Sequence, residues 1–110
     1  RAVTLRLETS ERQGCPRFNV DRSYLRLLCT YRGAGTEWLP EWQTHRVMLG
    51  RAAANEDIVR CGQPMRLERF NVALMKGDFD GGREGRGLVH RSPPATRADE
   101  TRVLFCLDCE

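Results

Sequence analysis

The chain has 110 residues, 40% hydrophobic and 30% charged, with a formal net charge of +3. That is enough for one domain with one core, and too apolar for disorder. No apolar run approaches the roughly 20 residues of a membrane span, and the arginines are interleaved with Asp and Glu rather than gathered, which argues against a nucleic-acid reader. Five cysteines make an odd count that does not read as a disulfide framework. Reduced thiols in a cytoplasmic protein are expected. A strand-like pattern begins at once after Arg1, so residues 1–110 are expected to form one domain that is a fragment or processed piece of a longer protein.

Taken in order, residues 2–7 alternate Val3, Leu5 and Leu7 with Thr4 and Arg6, the pattern of a half-buried strand. Residues 11–16 carry Gly14 and Pro16 and read as a turn. Residues 17–21 predict a short strand with Phe18 and Val20 on one face and Asn19 and Asp21 on the other. Residues 24–31 predict a third strand, closed by a turn at Gly33 and Gly35. In 36–51, Pro40 argues against an unbroken helix, and a loop followed by a short helix or irregular cover is expected.

Residues 52–57 read as a helical turn or loop, 58–61 as a short strand and 67–75 as a longer one. Residues 76–78 turn, and 79–87 form a glycine-rich loop. Residues 88–90 end a strand, 92–100 are a polar loop, and 102–108 close the chain as a strand. Many short strands joined by Gly and Pro turns predict an all-β sandwich or barrel.

The chemistry-bearing residues are few, and each has a plain alternative. Asn19 and Asp21, two apart on a strand, point the same way, as metal ligands must. An Asn–Asp pair also serves ordinary turn hydrogen bonds. His90 precedes Ser92-Pro93-Pro94 and is either a ligand through neutral imidazole or a hydrogen-bonded core residue. Cys106 and Cys109 form a C-x-x-C without a partner pair, on a strand rather than at a helix start. Cys15 and Cys29 read as core or turn cysteines. His45 lies in a polar stretch and is expected at the surface. Asp78 and Asp80 lack calcium-loop spacing and are expected to be solvated. Trp38 and Trp42 are core residues or, alternatively, anchors for a partner.

Three stretches carry a resemblance: Cys15-Pro-Arg-Phe-Asn-Val-Asp21, Leu27 to Pro40, and Ala73 to Asp78 continued by Gly87 to Pro94. Together they resemble the bacterial domain of unknown function 1826 family, and the resemblance, which spans nearly the whole chain, implies that residues 1–110 are the C-terminal portion of a longer family member. That family usually reads Phe-His-x-Asp where this chain has Phe18-Asn19-Val20-Asp21. The resemblance implies a double-stranded β-helix, a cupin-like jelly roll with short irregular or helical connections. It also implies a link to bacterial zinc or iron homeostasis, with zinc-homeostasis proteins as partners.

The Gly87 to Pro94 motif is also similar to phytanoyl-CoA dioxygenase-type oxygenases, which use Fe(II) and 2-oxoglutarate. There an Arg about a dozen residues after the His holds the co-substrate carboxylate. Carried over, Asn19, Asp21 and His90 are the metal ligands, for zinc or iron. Arg102 binds 2-oxoglutarate, in preference to Arg97. Asn19 replaces an imidazole with a neutral, hard oxygen, so weaker binding of either metal is implied, with Cys15 or water as substitute donors. Three readings follow: a divalent-metal-binding protein, a 2-oxoglutarate oxygenase, or a metal-free interaction domain.

Overall fold

The computed structural model describes residues 2–10, 15–51, 53–78, 85–94 and 101–110. The turn expected at 11–16, the loop with Asp80 and the loop with Arg97 fall wholly or partly outside them. Among the described residues the chain forms, in order, β1 (Val3–Ser10), β2 (Leu25–Arg32) and β3 (Glu37–Leu39), then two 3-10 turns at Glu41–Gln43 and Arg46–Met48. It continues with α1 (Asn55–Ile58), β4 (Met65–Arg66), β5 (Val72–Lys76), β6 (Val89–Arg91) and β7 (Arg102–Cys109). The strands make two antiparallel sheets, ordered β1-β7-β2-β5 and β4-β3-β6. The chain is thus mostly β, as its turn-punctuated alternation predicts.

The differences from the sequence reading have local causes. Residues 17–21 do not form a strand. Only Asn19 pairs, in an isolated bridge to His90, and the Phe18 amide donates instead to the Asn55 side chain at 3.0 Å. The stretch after Thr36, expected to be a loop, begins with β3. The strand expected at 58–61 is absent because Ile58 ends α1, and Val59 only bridges Thr44. The strand expected over 67–75 starts late, at Val72. Phe70 has φ +69° and its amide donates to the Thr30 carbonyl, which breaks the extended run.

Two apolar clusters hold the layers. Phe18, Leu39, Ile58 and Val89 join the smaller sheet to the helical cover. Leu28, Met75, Leu104 and Cys106 lie on the inner face of the larger sheet. Trp42 does not join either. It is exposed, because the neighbouring Gln43 takes the buried position of that 3-10 turn and donates to the Cys61 and Gln63 carbonyls at 2.9 and 2.8 Å. Trp38 is half-buried.

In β1 the expected orientation is reversed. Arg6 points inward to Asp108, while Val3, Leu5 and Leu7 face out.

Gly77 is required where β5 passes the 21–23 segment. A Cβ there would overlap the Ser23 carbonyl oxygen and crowd that of Asp21 at 2.8 Å. Gly77→Ala is therefore expected to cost about 1–3 kcal/mol through forced backbone movement, read by denaturant unfolding. An unchanged midpoint would show that the segment yields freely.

Candidate functional site

A cavity of about 250 Å³ lies between the two sheets. Arg6, Arg26, Arg102 and Cys106 line it from the larger sheet, and Asn19 and His90 complete the part that concerns function. Alternation puts them there. On β7, residues 104, 106 and 108 share the inner face, and on β2 so do 26, 28 and 30.

His90 and Asn19 face each other across the bridge, with backbone N–H···O bonds of 2.9 and 3.0 Å. The His90 Nε2 lies 3.3 Å from Asp21 Oδ1, and both side chains are about nine-tenths buried. His90 Nδ1 is 3.0 Å from the Leu88 carbonyl oxygen. A carbonyl only accepts, so Nδ1 carries a proton, and Nε2 is the ring nitrogen that faces Asp21. A ring nitrogen and a carboxylate oxygen at this distance can share a cation between them, either a proton or a metal ion.

Asp21 is held by Arg26, whose Nη1 lies 2.8 Å from Oδ1. Its Oδ2 is buried and has no hydrogen-bond partner among the described residues. Asp21 does not itself line the cavity and meets it through His90 and Arg26.

Asn19 is less committed to ligation. Its Nδ2 donates to the Arg17 carbonyl at 2.8 Å, to the His90 carbonyl at 3.3 Å and to Cys15 Sγ at 3.3 Å. Among the described residues no three His, Cys, Asp or Glu side chains group as a metal site. The strong donors are therefore two, Asp21 and His90, with a neutral amide and an exposed thiol nearby.

Behind this pair runs an ion network that sequence reasoning missed. Arg26 also grips Asp108 through Nε at 2.6 Å, and Arg6 meets Asp108 at 2.7 Å. Burial would raise the Asp108 pKa, but hydrogen bonds from Arg26 and Arg6 outweigh it and hold the carboxyl below its ordinary value. The available signal was a charge on the apolar register of two strands: Arg26 beside Leu28, and Asp108 beside Cys106.

Arg102 is different. Its Nε donates to the Ala34 carbonyl at 3.1 Å and its Nη2 to Thr36 Oγ1 at 2.8 Å. Among the described residues no carboxylate forms an ion pair with it. Burial lowers its pKa from the ordinary value, the mark of a partly desolvated cation.

The C-x-x-C does not form a pair. Three residues apart on a strand, Cys106 points inward and Cys109 outward. Burial pushes the Cys106 thiol up, away from reactive thiolate. His45 is exposed, as expected. Asp78 is not simply solvated: its carboxylate accepts from the amides of Gly85, Arg86 and Gly87 at 3.1, 3.1 and 2.6 Å.

A family model described as "Protein of unknown function (DUF1826)" matches residues 1–108. The chain belongs to the DUF1826 family. No curated protein and no solved structure matches it. The likeness to phytanoyl-CoA dioxygenases thus has no support beyond the motif. For this DUF1826 chain the described residues include no helix long and apolar enough to cross a membrane.

Proposed function

We propose that this domain binds a divalent metal ion, zinc or iron, at Asp21 and His90, with Asn19 as a weak third donor. We place it in a β-sandwich of the double-stranded β-helix kind, serving bacterial zinc or iron supply. The observation that carries the reading is the Asp21–His90 contact. Two donors each about 2.0–2.1 Å from a tetrahedral zinc ion stand about 3.3–3.4 Å apart, which matches the 3.3 Å between Nε2 and Oδ1. The Nδ1–H bond to a backbone carbonyl is also the usual way a ligating His is oriented.

A bound ion would supply Lewis acidity or simply be stored. The chain's own part is to fix the His90 tautomer through Leu88 and the Asp21 carboxylate through Arg26. Zinc titration by calorimetry tests this. His90→Ala is expected to abolish binding and Arg102→Ala to leave it intact. Equal binding by wild type and His90→Ala would reject the site.

One observation favours a second reading, the oxygenase. Arg102 lines the same cavity and has no carboxylate ion-pair partner among the described residues; with Nε held by Ala34 and Nη2 by Thr36, its remaining N–H groups suit a grip on an acidic co-substrate such as 2-oxoglutarate. Under this reading Arg102→Ala weakens 2-oxoglutarate binding about 100-fold, or ~2.7 kcal/mol. Unchanged affinity would remove the reading.

A further inference from the structure

The outer face of the four-stranded sheet is apolar across all four strands. One row of cross-strand partners runs Leu5, Leu107, Leu27, Leu74. The next runs Leu7, Phe105, Cys29, Val72, and the row on the other side Val3, Cys109, Leu25, Lys76. Lys76, at a corner, is the one charge in these three rows. The tilted Tyr31–Phe70 ring pair, centroids 6.3 Å apart, extends the face.

No described segment covers it. Val3, Leu5, Leu7, Phe70, Val72 and Leu74 each leave 60–67% of their surface exposed, and Tyr31 45%. At ~150–250 Å² for each large side chain, these seven alone expose roughly 700 Å². The largest apolar patch on a typical monomer is about 300–600 Å². A stable interface takes about 800 Å² per partner, which the partly exposed Leu25, Leu27, Phe105 and Leu107 bring within reach.

We infer that this face is a dimer interface, on which a second copy of the same chain packs sheet to sheet. Three features select a second copy. The area matches what a stable dimer needs. The face carries no pattern of charge that would specify an unlike partner. Rows of one apolar character can pack against the same rows of a second copy across a two-fold axis, as an isologous contact requires. Packed about 10 Å apart, the two outer faces would interdigitate as the layers of a β-sandwich do. The cavity, on the opposite face of the same sheet, stays open in such a dimer.

Sedimentation velocity of the chain between about 1 and 100 μM tests this. The expected result is a dimer across most of that range. Leu74→Glu and Leu5→Lys should each raise the dissociation constant at least about 100-fold, with an unchanged far-ultraviolet circular dichroism spectrum because both positions are exposed in the monomer. A wild-type chain that stays monomeric at the highest concentration overturns the inference, whatever the variants do. So does a dimer that both substitutions leave intact.

Discussion

Asp108→Ala is expected to destabilise the protein by about 3 kcal/mol or more, the largest single loss outside the apolar core. Asp108 is the acceptor for two arginines, Arg26 at 2.6 Å and Arg6 at 2.7 Å, and its side chain is only 6% exposed. Removing it leaves the Arg26 charge in a largely buried position with Asp21 as its one remaining carboxylate among the described residues. Uncompensated burial of this kind, rather than the loss of one bond, sets the magnitude.

The acid limb gives the sign. The Asp108 pKa is lowered in the folded state, so its contribution is complete above about pH 4, where the unfolded side chain is also ionised. The contribution is lost as the pH falls through the lower folded value. Glu37 acts in the same direction. Burial would raise its pKa, but hydrogen bonds from Arg66 and Arg91 hold it below its ordinary value. The gap in stability between wild type and Asp108→Asn should therefore shrink as the pH falls below about 4, followed by urea unfolding. A gap constant down to the acid limit would show that Asp108 is not the charged acceptor described.

The second large effect concerns the metal. Asn19→His should raise zinc affinity at least about 100-fold, or ~2.7 kcal/mol. Asn19 and His90 are directly opposed in an antiparallel bridge, so an imidazole at 19 projects to the same side as that of His90. It replaces a neutral amide, whose nitrogen is already spent on the Arg17 carbonyl, with a donor that suits zinc and iron. The Arg17 and Cys15 contacts of Asn19 are lost, so a modest fall in stability without metal accompanies the gain. Competition against a chromogenic chelator measures the change. Equal affinity in the two chains would count against a site at 19, 21 and 90.

Much of the fold was legible because alternation is a local signal. β1, β2 and β7 lie within a few residues of where period 2 puts them. What alternation does not reveal is which side is inside. Val3, Leu5 and Leu7 mark a face meant for burial, yet within this chain that face is the outer one, and Arg6 turns inward because Asp108 is there to receive it. Phe70 reads as a strand residue by type and pattern. Its positive φ follows from the Thr30 contact, a tertiary constraint that no local pattern announces.

The candidate site was legible in part for a different reason. Asn19, Asp21, His90 and Arg102 came from motif resemblance, and the bridge, the 3.3 Å contact and the shared cavity bring His90 to Asn19 and Asp21, and Arg102 to the same space. Arg26 stayed hidden because its meaning lies in a partner 82 positions away. A lone arginine in an apolar strand signals a buried ion pair without naming the carboxylate.

The most direct measurement is the metal content of the purified chain by inductively coupled plasma mass spectrometry, beside that of Asn19→His. The account predicts sub-stoichiometric zinc or iron in the natural chain and near-stoichiometric metal in Asn19→His, lost from both on His90→Ala. Two chains equally empty, or metal that persists without His90, would contradict it.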